Sequence, residues 1–174
     1  MIAVFGAAGF IGTYFVDQLV KDGFDVLAVD KCKIGEEYYR AQKISFINCD
    51  ITENNEFNKL PVKNIEAVVN LACMQPANMR ANEYKSTDFF KVNVIGTLNM
   101  LDYCKNTGIS KIIYMCSHRN TQGLWADSPG AISEQEGISI KYTGEYSLFS
   151  ISETAALDSV LHYSRQYGIQ GIIL

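Results

Sequence analysis

Short apolar runs alternate along this chain with longer segments in which apolar residues recur at helical spacing. The short runs predict six strands, at residues 2–5, 25–30, 44–47, 67–72, 112–115 and 169–174. The longer segments predict helices at residues 10–22, 53–60, 88–106 and 147–167. Residues 31–43 are predicted to form a loop or a short helix, and residues 118–145 a loop. This alternation predicts one α/β domain with a doubly wound parallel sheet in the strand order 3-2-1-4-5-6.

The turn after the first strand carries three glycines, in the run Gly6-Ala-Ala-Gly-Phe-Ile-Gly12. Gly6 can adopt the positive φ that ends a strand sharply, and Gly12 lets the following helix pack closely on the strand. Gly9 has no Cβ, so the backbone can approach a diphosphate, whose negative charge the helix N-terminus favours. The pattern predicts a dinucleotide-binding turn of Rossmann type, which the intervening Ala8, Phe10 and Ile11 complete.

An acidic residue, Asp30, ends the second predicted strand, about 20 residues beyond the glycines. A carboxylate there accepts hydrogen bonds from a ribose 2′-hydroxyl and repels a 2′-phosphate, so NAD is expected rather than NADP. Lys31 and Lys33 follow closely, and their positive charges are expected to reduce the preference for NAD over NADP. Because the carboxyl ends of parallel strands meet at one edge, Asp30 is expected to lie near Asp50, Ala72 and Ser117.

Composition narrows the class of protein. The chain has 174 residues, which suits one domain, and its net charge of −4 argues against a nucleic-acid partner. No apolar run reaches the length of a membrane span, and Met1 leads straight into the first strand, so no signal peptide is expected. The five cysteines contain no Cys-x-x-Cys pair. We therefore expect reduced thiols in a cytoplasmic protein without a metal site. The alternative is that one of them, Cys73 or Cys116, is a reactive thiol.

Several of these stretches together resemble the extended short-chain dehydrogenase/reductase family, the NAD-dependent sugar-nucleotide epimerase/dehydratase group. The matching runs are the glycine turn, Asp30, Cys49-Asp50-Ile51, Asn70-Leu71-Ala72, Val92-Asn93 through Asn99, and Tyr114-Met-Cys-Ser117. The resemblance implies NAD as cofactor, a nucleotide sugar or similar carbinol as substrate, and a homodimer formed by the two long helices. Beyond the glycine turn, it implies cofactor contacts by Asp30, Lys31, Asp50, Ile51, Leu71, Ala72, Cys73 and Asn93.

The resemblance implies a catalytic arrangement of one serine and a Tyr-x-x-x-Lys pair. This sequence matches the serine but departs from the Tyr-x-x-x-Lys pair. Ser117 matches the serine, which bonds the substrate oxygen. Counting back along the last helix from Tyr167-Gly168, the tyrosine position holds Phe149 and the lysine position holds Glu153. Phenylalanine has no proton to transfer, and glutamate supplies no positive charge to a phenol whose ordinary pKa is about 10.

Other residues are candidates for the proton carrier. Tyr146 lies one turn before Phe149 on roughly the same helix face, although in that register Ser150 replaces the lysine. Tyr142 is a second candidate if the loop folds back, and His118 is a substitute acid or base. Two of the candidate residues also have a purely structural interpretation. Tyr146 could pack at the start of the helix, and Ser117 could cap the local backbone. Trp125 is either a substrate lid or loop packing.

Two functions remain open at this point. The resemblance favours an enzyme, an epimerase, dehydratase or reductase, with Ser117, Tyr146, Phe149 and Glu153 as its candidate catalytic positions. The departures at Phe149 and Glu153 favour a catalytically silent NAD-binding module, a sensor or partner subunit. A flavin or nucleotide binder fits the glycine turn less well. The family's substrate-binding part follows strand 6, so we expect residues 1–174 to be an NAD(P)-binding Rossmann domain truncated after strand 6, without that part.

Overall fold

The six predicted apolar runs form one parallel sheet. A computed structural model describes residues 1–76, 85–125, 130–141 and 146–174. The strands are β1 Ile2–Phe5, β2 Val26–Asp30, β3 Ser45–Asn48, β4 Ala67–Asn70, β5 Lys111–Tyr114 and β6 Gln170–Ile173. Their order is β3-β2-β1-β4-β5-β6, and every neighbouring pair is parallel. The predicted doubly wound Rossmann topology is therefore confirmed.

In the described part of the chain, four helices flank the sheet. They are α1 Phe10–Lys21, α2 Ile34–Ala41, α3 over residues 87–107, and α4 Ser147–Tyr167. The first part of α3 is unusual, because residues Phe90–Gly96 form a π-helical segment between two α-helical ones. Short 3₁₀ turns lie at Asn54–Lys59, His118–Leu124 and Glu134–Glu136. Among the described residues, no helix is both long and apolar enough to span a bilayer.

Strand residues alternate between two packed faces, as the strand period of two requires. Phe5 and Leu27 face the core that includes Met100 and Val160 from α3 and α4. The opposite face packs Val4 against the side of α1 that Val16 occupies. Parallel strands covered on both faces are apolar throughout, and this explains why the central runs show no polar alternation.

The structure refines several predicted boundaries. Residues 31–43 contain α2, and residues 53–60 form a 3₁₀ turn. β4 ends at Asn70 because the Asn70 side chain accepts a hydrogen bond from the Ala72 amide at 3.0 Å and so turns the chain. In α1, Gly12 and Val16 are the buried positions, while Ile11 is 47% exposed because it faces the cleft described below.

Two glycines bring the first turn against its neighbours. Gly6 has φ +77°, and a Cβ on it would lie 2.6 Å from the backbone of Leu71 and Ala72. A Cβ on Gly12 would lie 2.1 Å from the Gly6 carbonyl oxygen. Both distances are far below van der Waals contact with backbone, which cannot move aside cheaply. The turn, the tip of β4 and the start of α1 therefore approach as closely as only glycine allows.

We predict that Gly12→Ala lowers the free energy of unfolding by about 1–3 kcal/mol, because the new methyl group overlaps backbone. Urea unfolding followed by circular dichroism measures this loss. Gly130→Ala is the matched control, since a Cβ there meets no atom within 4 Å. Equal stability of Gly12→Ala and the wild-type chain would contradict the close approach.

Candidate functional site

Two adjoining cavities open at the carboxyl edge of the sheet. The first, the Asp30 cavity, is lined by Gly9, Asp30, Lys31, Asp50 and Ile51 among others. The second, the Ser117 cavity, is lined by Ile11, Tyr114, Ser117, Tyr146, Phe149 and Glu153 among others. Both share Leu71, Ala72 and Cys73 after β4. The arrangement is an elongated cleft across the point where the strand order reverses, where open α/β sheets bind ligands.

The Asp30 carboxylate is fixed at the tip of β2. Its Oδ2 accepts from the Ala8 amide at 2.9 Å, and its Oδ1 accepts from the Cys32 amide at 2.8 Å. Each carboxylate oxygen has a second acceptor position, so the oxygens can also accept from a ligand hydroxyl. The Ala8 amide belongs to the glycine turn, and thus one hydrogen bond joins the predicted ribose contact, Asp30, to the predicted diphosphate site.

Gly9 differs from the other two turn glycines. Its backbone is extended, with φ −76° and ψ 172°, and it begins α1 without a side-chain cap. Among the described residues, a Cβ there would meet one atom within 4 Å, the Gly6 carbonyl oxygen at 3.1 Å. Packing is therefore less strict at Gly9 than at Gly6 and Gly12, and the predicted approach of a ligand to the helix N-terminus gives a further reason for glycine.

The far wall of the Asp30 cavity is supplied by the segment after β3. Asp50 accepts through Oδ1 from the Thr52 amide and hydroxyl, at 3.0 and 2.9 Å, and its Oδ2 lies 3.7 Å from Lys31 Nζ. The Ile51 carbonyl accepts from Asn99 at 2.8 Å, and its side chain packs on Gly96. The π-helical segment of α3 thereby positions an apolar surface suited to an adenine ring.

Asn93, predicted as a cofactor contact, lies behind the cavity wall. It is 1% exposed, and its Oδ1 accepts from the Met74 amide at 2.7 Å. Its Nδ2 donates to the Met74 carbonyl at 3.1 Å and to Ser152 Oγ at 3.0 Å. The side chain joins the segment after β4 to α3 and α4, and it supports the cleft from outside. Phe10 is also turned away, as its side chain is 83% exposed.

Ser117 has a local hydrogen bond as well as a place in the Ser117 cavity. Its Oγ accepts from the Arg119 amide at 3.2 Å, which caps the following 3₁₀ turn. The hydroxyl proton is not used in that bond and can be donated to a ligand oxygen. The predicted cap and the predicted substrate contact are therefore compatible.

Tyr146 lies at the start of α4 and lines the Ser117 cavity. The Arg119 guanidinium lies over its ring, 4.4 Å from the centroid. His118 also lines this cavity, and its ring stacks on Trp125 at a centroid distance of 5.4 Å. The tyrosine considered as an alternative, Tyr142, falls outside the described residues. Tyr146 is thus the tyrosine at this cavity with a cation against its ring.

Phe149 and Glu153 both lie in the cavity, one turn apart on α4. Phe149 belongs to a buried apolar cluster with Met74 and Phe89, and its ring centroid is 5.9 Å from that of Phe89. Glu153 is 2% exposed. Cys73 donates its thiol proton to Glu153 Oε1 at 3.4 Å, and the nearby Tyr114 hydroxyl favours the charged form of this carboxyl and so lowers its pKa.

Burial controls the acid–base behaviour of this group of side chains. Desolvation raises the pKa of Glu153 to about 7, and the hydrogen bonds from Cys73 and Tyr114 offset only part of that rise. Burial and the nearby carboxyl raise the pKa of the Cys73 thiol well above its ordinary value. The pKa of the Cys116 thiol also rises, chiefly through burial. These shifts oppose thiolate formation, so the structure does not favour either cysteine as a reactive thiol.

The structure brings most of the predicted site residues to the cleft, and it adds one. Tyr114, which the sequence places only in the strand that leads to Ser117, lines the Ser117 cavity together with Glu153. Its position as the last residue of β5 is the signal that would have indicated it. Among the described residues, no group of three His, Cys, Asp or Glu side chains is arranged to hold a metal ion.

Comparison with known proteins extends this picture. Residues 2–174 match the profile of the NAD dependent epimerase/dehydratase family. A putative UDP-glucose 4-epimerase of Methanocaldococcus jannaschii is 30% identical over 174 residues, 100% of this chain and 54% of that protein. UDP-glucuronic acid decarboxylase 1 of Arabidopsis thaliana is 25% identical over 171 residues, 97% of this chain and 37% of that protein.

The fold is shared with solved structures. The UDP-glucose 4-epimerase of Thermus thermophilus in complex with NAD has a TM-score of 0.82 at 21% identity, covering 99% of this chain and 53% of that one. The chain thus spans about half the length, or less, of these relatives.

Glu153 yields a stability prediction. The raised pKa means that the folded chain keeps a proton that the unfolded chain releases between pH 4.5 and about 7, so this residue lowers stability as pH rises through that window. We predict that Glu153→Gln raises the free energy of unfolding relative to wild type by up to about 3 kcal/mol at pH 8. The gain should fade towards pH 4.5.

Denaturant unfolding at pH 5 and pH 8 measures the difference between the two proteins. Glu37→Gln is the matched control, because Glu37 is exposed on α2 and should show no such change with pH. A Glu153→Gln gain that is the same at both pH values would contradict the shifted pKa.

Proposed function

The chain belongs to the NAD dependent epimerase/dehydratase family, and on that premise we propose that it binds NAD and acts on the carbinol of a sugar nucleotide. The relatives named above act on UDP-glucose or UDP-glucuronic acid by their names. The chain covers about half the length of these relatives, or less. For this reason its activity and its substrate are both part of the proposal.

The observation that carries the cofactor assignment is the orientation of Asp30. Two backbone amides hold its carboxylate at the strand tip, and both oxygens retain the capacity to accept from the hydroxyls of an adenosine ribose. A 2′-phosphate would bring negative charge against this carboxylate, so the arrangement supports NAD over NADP. Lys31 is engaged with Asp50 at 3.7 Å, which limits its ability to pair with such a phosphate.

The rest of the cleft fits the dinucleotide. Gly9 and the uncapped N-terminus of α1 would hold the diphosphate, and Ile51 would contact the adenine ring. Leu71, Ala72 and Cys73 would lie beneath the centre of the molecule, since they line both cavities. Bound NAD would supply the hydride acceptor of the family's oxidation chemistry.

The Ser117 cavity supports a reaction at a substrate hydroxyl. Ser117 would donate its free hydroxyl proton to the substrate oxygen and orient it. Tyr146 would carry the proton, because Phe149 has no hydroxyl and packs in the apolar cluster. The Arg119 guanidinium lies 4.4 Å from the Tyr146 ring centroid. It would supply the positive charge that the lysine provides beside the tyrosine in the family pattern.

The alternative function is a catalytically silent NAD-binding module. It is favoured by the two residues at the positions of the family pair, an apolar Phe149 and a carboxyl at Glu153. Under this alternative the Asp30 cavity retains its role, and the Ser117 cavity holds the cofactor without turning over a substrate.

A homodimer and a cytoplasmic location also belong to the proposal. Large apolar side chains on α3 and α4 are exposed, among them Phe90, Ile95 and Leu148, and this supports an interface between copies along these helices. All five cysteines are free thiols, which suits a reducing compartment.

We expect the purified chain to bind NAD more tightly than NADP in a calorimetric titration. Gly9→Val should abolish NAD binding, because the new side chain occupies the position where a diphosphate would approach the helix N-terminus. The folded state should persist, since the extended Gly9 backbone suits any residue and its Cβ meets only one neighbour, at 3.1 Å.

Gly130→Val is the control for the same change in open space, and it should leave NAD binding intact. Absence of NAD binding by the wild-type chain, or unaltered binding by a folded Gly9→Val variant, would contradict the proposed cofactor site.

For catalysis, we expect Tyr146→Phe to reduce turnover of UDP-glucose at least about 100-fold, because it removes the proton carrier. Product formation is followed by chromatography of the sugar nucleotides. Tyr167→Phe, at the other end of α4, is the matched control and should keep wild-type turnover. Undiminished turnover in Tyr146→Phe would exclude this residue as the carrier, whereas NAD binding without any turnover by wild type would support the silent module.

A further inference from the structure

The buried carboxyl of Glu153 lies where the second half of a bound dinucleotide would be. With the adenosine ribose at Asp30 and the diphosphate at Gly9, the molecule continues over Leu71, Ala72 and Cys73, the residues common to both cavities. Beyond them lies the Ser117 cavity, which Glu153 lines. The nicotinamide half is therefore directed to the cavity that contains this acid.

The groups around Glu153 do not neutralise it. From the segment after β4 it meets the Cys73 thiol, and from β5 the Tyr114 hydroxyl, both neutral donors. Cys116, just after β5, contributes only a thiol whose pKa burial raises. None of the influences on the Glu153 pKa found in the described part of the chain comes from a cation.

Two basic side chains that line the cavity have other partners. Arg119 lies over the Tyr146 ring, and its Nη1 donates to Gln122 at 3.4 Å. His118 stacks on Trp125. Within the described part of the chain, the guanidinium charge of Arg119 thus lies beside Tyr146, while Glu153 meets only neutral polar groups.

We propose that Glu153 makes this site select the oxidised form of the dinucleotide, NAD⁺, over the reduced form, NADH. The inference rests on the proposed binding of NAD and adds the redox state that the site prefers. The oxidised nicotinamide ring carries a positive charge and the reduced ring carries none. An ionised carboxyl that is almost fully buried, as Glu153 is at 2% exposure, attracts the first and gains nothing comparable from the second.

The preference depends on pH in a defined direction. The carboxyl titrates at about 7 because burial disfavours its charged form. It is mostly neutral at pH 6 and mostly ionised at pH 8, so the selectivity for NAD⁺ grows as pH rises. A positively charged ring also favours the ionised carboxyl, and therefore NAD⁺ binding near pH 7 releases a proton from Glu153.

The dissociation constants of NAD⁺ and NADH, measured by calorimetric titration at pH 6 and pH 8, test this proposal. We expect the ratio of the NADH constant to the NAD⁺ constant to increase about tenfold between the two pH values. Glu153→Gln should give nearly the same ratio at both, because its amide does not ionise. Glu37→Gln, an exposed acid on α2, is the matched control and should behave as wild type.

Titration at pH 7 in buffers of different ionisation enthalpy gives a second readout. NAD⁺ binding to the wild-type chain should release a fraction of a proton that Glu153→Gln does not release. A wild-type ratio that is independent of pH, or an unchanged pH dependence in Glu153→Gln, would overturn the inference while leaving NAD binding intact. Absence of binding of either form at both pH values would overturn the proposed function and this inference together.

Discussion

The close backbone approach at the first turn is the constraint on which the cleft depends. Gly6 lies against the backbone of Leu71 and Ala72, and Gly12 lies against the Gly6 carbonyl. This contact places the N-terminus of α1 beside the segment after β4, which forms the shared wall of both cavities. Any side chain at Gly6 or Gly12 would separate these elements. The elongated cleft therefore depends on glycine at these two positions, of which Gly6 also lines the Asp30 cavity.

Much of this arrangement could be predicted from the sequence, because strand ends in a parallel sheet meet at one edge. The alternation of apolar runs predicted the strand order, and that order brought Asp30, Asp50, Ala72 and Ser117 to the cleft. The location of a strand-end residue can be predicted in this way because it depends on the topology of the sheet. It does not require knowledge of the direction of each side chain.

The sequence could not show which side chains turn towards one another. Asn93 supports the wall because a π-helical segment in α3 sets its direction, and a local change of helical period has no clear signal in an amphipathic pattern. The hydrogen bond between Cys73 and Glu153 joins residues 80 positions apart, and Tyr114 reaches the same cavity from a third element. Such contacts depend on the exact pleat and rotation of three elements, which spacing does not specify.

The position of the two charges in the Ser117 cavity distinguishes this chain from the family pattern. There, a lysine one turn from the tyrosine supplies a positive charge; here that turn carries Glu153, and the cation beside Tyr146 comes from Arg119 in the segment after β5. A carboxyl buried among neutral donors reduces stability above the pH at which it ionises, and an apolar side chain of similar size would avoid that cost. Packing therefore gives no reason for an acid at this position. A charge that interacts with a ligand gives one, because the energy lost in the empty cavity is recovered when an opposite charge binds.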